Sequence, residues 1–218
     1  MINLKTKGGQ KLLAAGNWAW SLFSINFAWF LINFPVILMM IILGSLDLNV
    51  NFFIINLVLT AMLIIFTVPS VIAAFATVMD WQVNGNGNFL RTQFTNWFKM
   101  LRYVRTNLEI GASFGVLIFL NKLFFGNVLP HMFVLTSSLI LFAAFIVKSF
   151  QLGTRSTKSF SEICVAYPLK ILVVTLIFIA LLLLNFVLQL AFLIVIGSIS
   201  LSVFVAYRLL GGRVEKND

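Results

Sequence analysis

Long apolar runs separated by short polar stretches dominate the chain. Runs of this length approach the roughly 20 residues that a helix needs to cross a hydrocarbon core about 30 Å thick. The pattern predicts an all-α fold, a polytopic transmembrane bundle that forms a single membrane domain over residues 1–218. The six predicted spans cover 18–43, 52–79, 110–125, 130–147, 168–185 and 187–207.

The last two spans come from one apolar segment, residues 168–207. A single helix of forty residues would measure about 60 Å, which is twice the thickness of the bilayer core. The segment is therefore expected to fold back on itself. Asn185 and Gln189 are the polar residues near its middle, and the turn is predicted there.

Basic residues give the bundle an orientation. If the six spans are correct, 14 of the 15 Lys and Arg residues fall on one side of the membrane and Lys122 is the exception. Short loops rich in Lys and Arg stay in the cytoplasm. Both termini are therefore predicted to be cytoplasmic.

Composition narrows the classes of function. The chain is 61% hydrophobic and 10% charged, which is not the composition of a soluble domain. The central parts of the predicted spans carry no ionisable residue, and such residues usually mark pumps, voltage sensors and intramembrane acid–base catalysts. One Cys and one His leave no disulfide framework and no clustered metal site, and no phosphate-binding glycine motif occurs. We expect no enzyme activity, no cofactor and no binding of nucleic acid.

One amphipathic helix, residues 88–106, is predicted between spans two and three, with Asn88 as its cap. On a helical wheel drawn at 100° per residue, the apolar and the polar residues separate into two halves. Gln93 is the only residue out of place, and Arg105 lies inside the apolar arc near its edge. The apolar half contains Phe89, Leu90, Phe94, Trp97, Phe98, Met100, Leu101 and Val104, and the polar half contains Arg91, Thr92, Thr95, Asn96, Lys99, Arg102 and Tyr103.

This pattern has two interpretations. An interfacial helix would lie on anionic lipid of the bilayer, and a docking helix would enter the groove of a partner protein. The predicted contact residues are the same in both cases. They are Phe94, Trp97, Phe98 and Leu101 on the apolar side and Arg91, Lys99, Arg102 and Arg105 on the basic side.

Uncharged polar residues form a second candidate feature inside the membrane, namely Asn26 and Asn33 on span one with Asn56 and Thr60 on span two. Such residues usually join helices by hydrogen bonds, and they also line paths for solutes. Pro69 cannot donate a backbone hydrogen bond, which leaves the carbonyl of Ile65 without its helical donor.

Three stretches resemble the YesL-like membrane proteins, a family of unknown function. They are Asn17-Trp18 through Asn26-Phe27-Ala28-Trp29, then Pro69-Ser70-Val71-Ile72-Ala73-Ala74-Phe75, and the aromatic basic loop from Phe94 to Arg105. The junction Thr106-Asn107-Leu108-Glu109-Ile110-Gly111 is also similar. The resemblance is best over about the first 120 residues. It implies a bacterial inner-membrane protein often encoded beside sugar-uptake transporters, with no established activity and no assigned functional residues.

Two functions follow as hypotheses. The first is a non-catalytic accessory or regulatory component of carbohydrate uptake, which binds components of a sugar-uptake transporter, or another copy of itself, through the 88–106 helix. The second is a self-contained carrier of a small neutral solute that uses Asn26, Asn33, Asn56 and Thr60.

Overall fold

A computed structural model describes residues 7–85, 87–187 and 197–211. These residues form nine α-helices and one π-helical turn, and no strand occurs among them. The helices are α1 (Lys7–Gly44), α2 (Val50–Met62), α3 (Val68–Asn84), α4 (Phe89–Met100), α5 (Val104–Leu123), α6 (Val128–Gly153), α7 (Phe160–Ala166), α8 (Pro168–Val187) and α9 (Ser198–Leu210), and the π-helical turn is Leu63–Thr67.

Several of these helices have the length and composition of membrane spans. Three do so alone, over Gly9–Gly44, Val50–Asn84 and Val128–Gly153. A fourth candidate is the pair Phe160–Ala166 and Pro168–Leu184, which bends by 96° where one helix gives way to the next. The prediction of an all-helical membrane protein is therefore confirmed for the described residues, with three or four candidate spans by these criteria.

Helix α3 is the centre of the bundle. Every residue from Val68 to Val78 is buried, which includes small residues such as Ala73 and Ala74 that allow neighbouring helices to come close. Large apolar side chains are exposed on the outer helices instead, for example Ile41, Phe53 and Ile140. This distribution suits a bundle surrounded by lipid, because hydrocarbon solvates apolar side chains.

Two long helical segments run antiparallel to each other. One is α2, the π-helical turn and α3, and the other is α4 followed by α5. Trp81 contacts Phe89 at one end of the pair, and Phe52 contacts Phe119 near the other. Each segment has one irregularity near its middle, the π-helical turn in the first and residues 101–103 in the second.

The predicted continuous helix over 88–106 is interrupted. It begins as expected, because the Asn88 side chain accepts a hydrogen bond from the backbone N–H of Arg91. It ends at Met100, and Val104 already begins α5. The Asn107 side chain donates a hydrogen bond of 3.1 Å to the Met100 carbonyl, and this bond stabilises the break that a helical wheel could not show.

The last helices differ partly from prediction. Pro168 begins α8 as expected, and the capping box of Ser159 and Glu162 begins α7. Helix α8 continues through Asn185 to Val187, so the predicted turn does not occur at Asn185. Gln189 and the first part of the predicted span 187–207 lie outside the described residues.

Candidate functional site

Helix α4 has three faces rather than two. The buried face consists of Phe89, Gln93, Asn96 and Met100. Gln93, which the wheel placed on the wrong side, is fully buried, and Asn96, which the wheel placed on the solvent side, is 6% exposed. The two amides face α3, because α3 offers hydrogen-bonding groups there. The buried face of α4 therefore combines residues from the apolar and the polar half of the helical wheel.

A seam of hydrogen bonds joins this face to α3. The Gln93 amide donates to the Ser70 carbonyl over 3.0 Å, and the Thr77 hydroxyl lies 2.9 Å from the Gln93 carbonyl oxygen. The Asn96 amide lies 3.1 Å from the Thr77 hydroxyl and 3.3 Å from Asp80 Oδ2. Buried amides of this kind are costly without partners, so the paired seam fixes the rotation of α4 about its own axis.

Trp97 belongs to the fold as well as to the surface. Its indole Nε1 donates a hydrogen bond of 3.1 Å to the carbonyl of Ile65, and its ring stacks on Phe66 with ring centroids 5.8 Å apart. Ile65 is the residue whose helical donor is missing because Pro69 follows four residues later. Trp97 is therefore an anchor of α4 and is not available as a free contact residue.

The outward face of α4 is apolar with a basic edge. Phe98 is 63% exposed and Leu90 38% exposed, and Phe94 between them is half-buried. Arg91 and Lys99 lie exposed beside this stripe, and no ion pair to either occurs within 7–85, 87–187 and 197–211. We call Leu90, Phe94 and Phe98 with Arg91 and Lys99 the α4 stripe.

The other predicted contact residues are partly engaged. Leu101 is half-buried. The guanidinium of Arg102 lies 5.1 Å from the ring centre of Tyr103, and Arg105 forms an exposed ion pair of 2.8 Å with Glu109. They continue the basic character of this surface toward α5 without being free cations.

The four predicted intramembrane residues do not form one lining. Asn26 is fully buried, and its Oδ1 accepts hydrogen bonds from the first backbone N–H groups of α9, those of Ile199 and Ser200, at 3.0 and 3.1 Å. This side chain therefore caps a helix that is distant in sequence. Asn33, the other asparagine of this set on predicted span one, has different hydrogen-bond partners.

Asn33 joins α1 to the start of α3. Its amide donates to the Ser70 hydroxyl over 2.8 Å, and the Thr67 hydroxyl donates to its Oδ1 over 2.8 Å. Asn56 donates to the Gly115 carbonyl over 3.2 Å, and Thr60 donates to the Asn56 carbonyl over 2.7 Å. The four residues thus serve three separate helix contacts, which is the packing role that such residues usually have.

Two cavities that share part of their lining lie elsewhere in the bundle. The inner cavity has a volume of about 420 Å³, and the outer cavity, which contains Lys122, has about 380 Å³. Both are lined by Met40, Ile118 and Asn121. The remaining lining of the inner cavity is mostly apolar, and it consists of Trp29, Leu63, Thr67, Val71, Phe114, Leu117, Leu135, Ser138, Phe142, Phe145, Phe178, Leu182 and Ile199.

These cavities were not expected from the sequence, although the pair Asn121 and Lys122 at the end of an apolar run is a signal for one of them. The buried Oδ1 of Asn121 has no hydrogen-bond partner among the described residues.

Comparisons with protein-family models, curated proteins and solved structures find no match for this chain.

Proposed function

We propose that this protein is a six-span protein of the bacterial cytoplasmic membrane that acts as a non-catalytic accessory component by binding a partner through the α4 stripe. The link to carbohydrate uptake, and with it sugar-transporter components as the partner class, depends on the resemblance to YesL-like proteins. The docking role depends on the geometry of α4.

The pairing of α5 with α2 supports counting α5 as a span. Gly115 lies so close to Thr60 that a Cβ at Gly115 would clash with the Thr60 side chain, and Phe119 contacts Phe53 farther along. Helix α2 is part of the candidate span Val50–Asn84, and a helix packed along it lies at the same depth. The basic residues on one side of the six spans support cytoplasmic termini.

One observation carries the docking proposal: hydrogen bonds fix the inner face of α4 while Phe98 and Leu90 of its apolar stripe remain exposed. Gln93 and Trp97 hold the helix against α3 and the π-helical turn. Phe98 and Leu90 therefore project in a fixed direction before any partner arrives. A preorganised surface loses little conformational entropy on binding, which favours specific recognition of a protein.

The chemistry of the stripe indicates the chemistry of the partner. An apolar row with Arg91 and Lys99 at its edge is complementary to an apolar segment that carries acidic residues. The partner is expected to present such a segment at the cytoplasmic face of the membrane, where the basic loops of this chain lie.

The experiment is copurification from native membranes with Phe98→Glu, and with Val83→Glu as the matched control. Val83 is 62% exposed on α3, so both variants place a carboxylate at an exposed apolar position. Loss of a central apolar anchor is expected to reduce the recovered partner by at least about tenfold for Phe98→Glu. Full recovery with Phe98→Glu, or loss with both variants, would contradict the proposal.

The alternative function, a carrier that uses Asn26, Asn33, Asn56 and Thr60, has less support. These residues are engaged in helix contacts, and the inner cavity has few groups to pair with the hydroxyls of a sugar. Burying unpaired hydroxyls is unfavourable. Uptake of a neutral solute by purified protein in sealed vesicles would restore this alternative.

A further inference from the structure

The two cavities adjoin at the three lining residues that they share, and we call them together the passage, which has a charged end and an apolar interior. The outer cavity is lined by Lys122, which is half-buried, together with Phe125 and Gly44. The inner cavity continues past Asn121 to Phe114 and Phe178. Polarity therefore falls along the passage from the ammonium group to the aromatic interior.

We propose that this passage binds a single-chain anionic amphiphile, with its head group at Lys122 and Asn121 and its hydrocarbon chain in the inner cavity. The shared chemistry is an anionic head, either a carboxylate or a phosphate, on one long acyl chain.

The head-group end offers a charge and an unused hydrogen-bonding group. Within the described residues, Lys122 forms no ion pair. Asn121 lines both cavities, and its buried Oδ1 also has no hydrogen-bond partner among the described residues. An anion near the ammonium group is favourable in a medium of low dielectric constant. The glycerol hydroxyl beside the phosphate of a lysophosphatidate would also donate to the amide oxygen, whereas a carboxylate has no donor for it.

The interior suits a hydrocarbon chain in size and composition. Ligand cavities of roughly 300 to 1,000 Å³ with mostly apolar walls are typical of small-molecule sites, and the inner cavity has about 420 Å³. The distance along α5 from Lys122 to Phe114 is about 12 Å at 1.5 Å per residue. An extended chain that starts at Lys122 would therefore run along Ile118 and Leu117 and end among aromatic rings.

The passage also explains why a single chain is favoured over an ordinary bilayer lipid. The cavities adjoin at Met40, Ile118 and Asn121, so one linear group can extend from one cavity into the other. A phospholipid with two chains would leave its second chain outside the passage, against the apolar surface of the bundle.

The test uses photoreactive probes that differ in the head group alone: a fatty acid, a lysophosphatidate and a fatty alcohol of equal chain length. Each probe is added to delipidated protein in detergent micelles, and the labelled peptides are identified by mass spectrometry. We expect at least one anionic probe to label the peptides around Phe114 and Phe142 about tenfold more than the alcohol does, since a tenfold ratio corresponds to one well-made polar contact. The preferred anion then shows whether the natural head is a carboxylate or a phosphate.

Three variants make the result specific. Leu117→Trp fills the inner cavity and should abolish labelling there, whereas Val116→Trp places the same side chain at an exposed neighbouring position and should leave labelling unchanged. Lys122→Gln should reduce labelling by the anionic probe to that of the alcohol. All variants are first checked for wild-type elution in size-exclusion chromatography.

Several results would overturn the proposal. Equal labelling by the anionic probes and the alcohol would remove the role of Lys122. Labelling that persists in Leu117→Trp, or that spreads evenly over exposed helices, would show that the chain lies outside the cavity. Complete displacement of the probe by an equimolar two-chain phospholipid would assign the cavity to ordinary bilayer lipid.

Discussion

The indole of Trp97 donates a hydrogen bond of 3.1 Å to the carbonyl of Ile65. This bond joins α4 to the π-helical turn. The Ile65 carbonyl is available for it because Pro69, four residues later, has no N–H to donate. An aromatic residue of α4 thus completes the hydrogen bonding of a candidate membrane span. Helix α4 is therefore a fixed part of the bundle. Because a change at Trp97 would also disturb this bond, Phe98 is the better position at which to test partner binding by the outer face of α4.

Replacing Trp97 with Phe tests this bond while it keeps an aromatic ring against Phe66. The Ile65 carbonyl would lose its side-chain donor, and we expect the variant to be less stable by about 1 kcal/mol. Thermal unfolding in detergent, followed by circular dichroism, measures the change. Trp20→Phe is the matched control, because Trp20 is 66% exposed, and it should unfold at the wild-type temperature. Equal unfolding of wild type and Trp97→Phe would show that the bond contributes nothing.

Replacing Gln93 with Leu tests the buried seam. The Ser70 carbonyl and the Thr77 hydroxyl would each lose one hydrogen bond, although Thr77 keeps its bonds to Ala73 and Asn96. One such bond contributes about 0.5 to 1.5 kcal/mol. The expected result is faster hydrogen exchange along α4 and a lower unfolding temperature. Thr95→Ala changes an exposed position of the same helix and should have little effect. Unchanged exchange in Gln93→Leu would mean that apolar packing alone positions α4.

Glycine positions on two helices should respond differently to Ala. A Cβ at Gly115 would clash with Thr60, so Gly115→Ala is expected to destabilise the bundle by about 1 to 3 kcal/mol. A Cβ at Gly16 meets no atom within 4 Å, and Gly16→Ala within helix α1 should be neutral or stabilising by up to about 1 kcal/mol. Unfolding temperatures of the two purified variants check this order, and the reverse order would show that α2 and α5 are less close than described.

Asn26→Leu should loosen the start of α9. The variant removes the acceptor for the N–H groups of Ile199 and Ser200, and loss of a helix cap costs about 0.5 to 2 kcal/mol. Hydrogen exchange is expected to increase in the first turn of α9 while α6 serves as an internal reference. Equal protection of α9 in wild type and variant would contradict the capping role.

The loop before α8 offers a test by titration. Lys158 donates a hydrogen bond of 2.9 Å to the Tyr167 hydroxyl, which lowers the pKa of Tyr167 and raises the pKa of Lys158. The tyrosinate form of Tyr167 should therefore appear at lower pH than that of an ordinary tyrosine, and it should be stabilised until Lys158 loses its proton at still higher pH. In a background of Tyr103→Phe and Tyr207→Phe, ultraviolet titration isolates Tyr167. Lys158→Gln should shift its transition upward, and an unchanged transition would exclude the pairing.

Local features of the fold could be predicted from the sequence. The Asn88 cap and the capping box of Ser159 and Glu162 depend on residues three positions apart, so their spacing is sufficient. The carbonyl left by Pro69 was predictable for the same reason. The identity of its new partner, Trp97, was not, because that contact joins residues 32 positions apart.

Nonlocal contacts also explain the errors at the candidate site. A helical wheel separates polar from apolar residues, and it assumes that the protein interior is apolar. Helix α3 instead presents Ser70 and Thr77, so the buried side of α4 carries Gln93 and Asn96. The role of Asn26 was equally hidden, because the helix that it caps begins more than 170 residues later.

Photocrosslinking from position 98 in native membranes tests the docking role of α4 most directly. A photoreactive phenylalanine replaces Phe98 in one variant and Ile140 in the other, since Ile140 is 67% exposed on α6, on the apolar outer surface of the bundle. The docking role predicts one discrete protein adduct from position 98 and lipid adducts alone from position 140. Lipid adducts alone from both positions, or the same protein adducts from both, would contradict a partner-binding surface on α4.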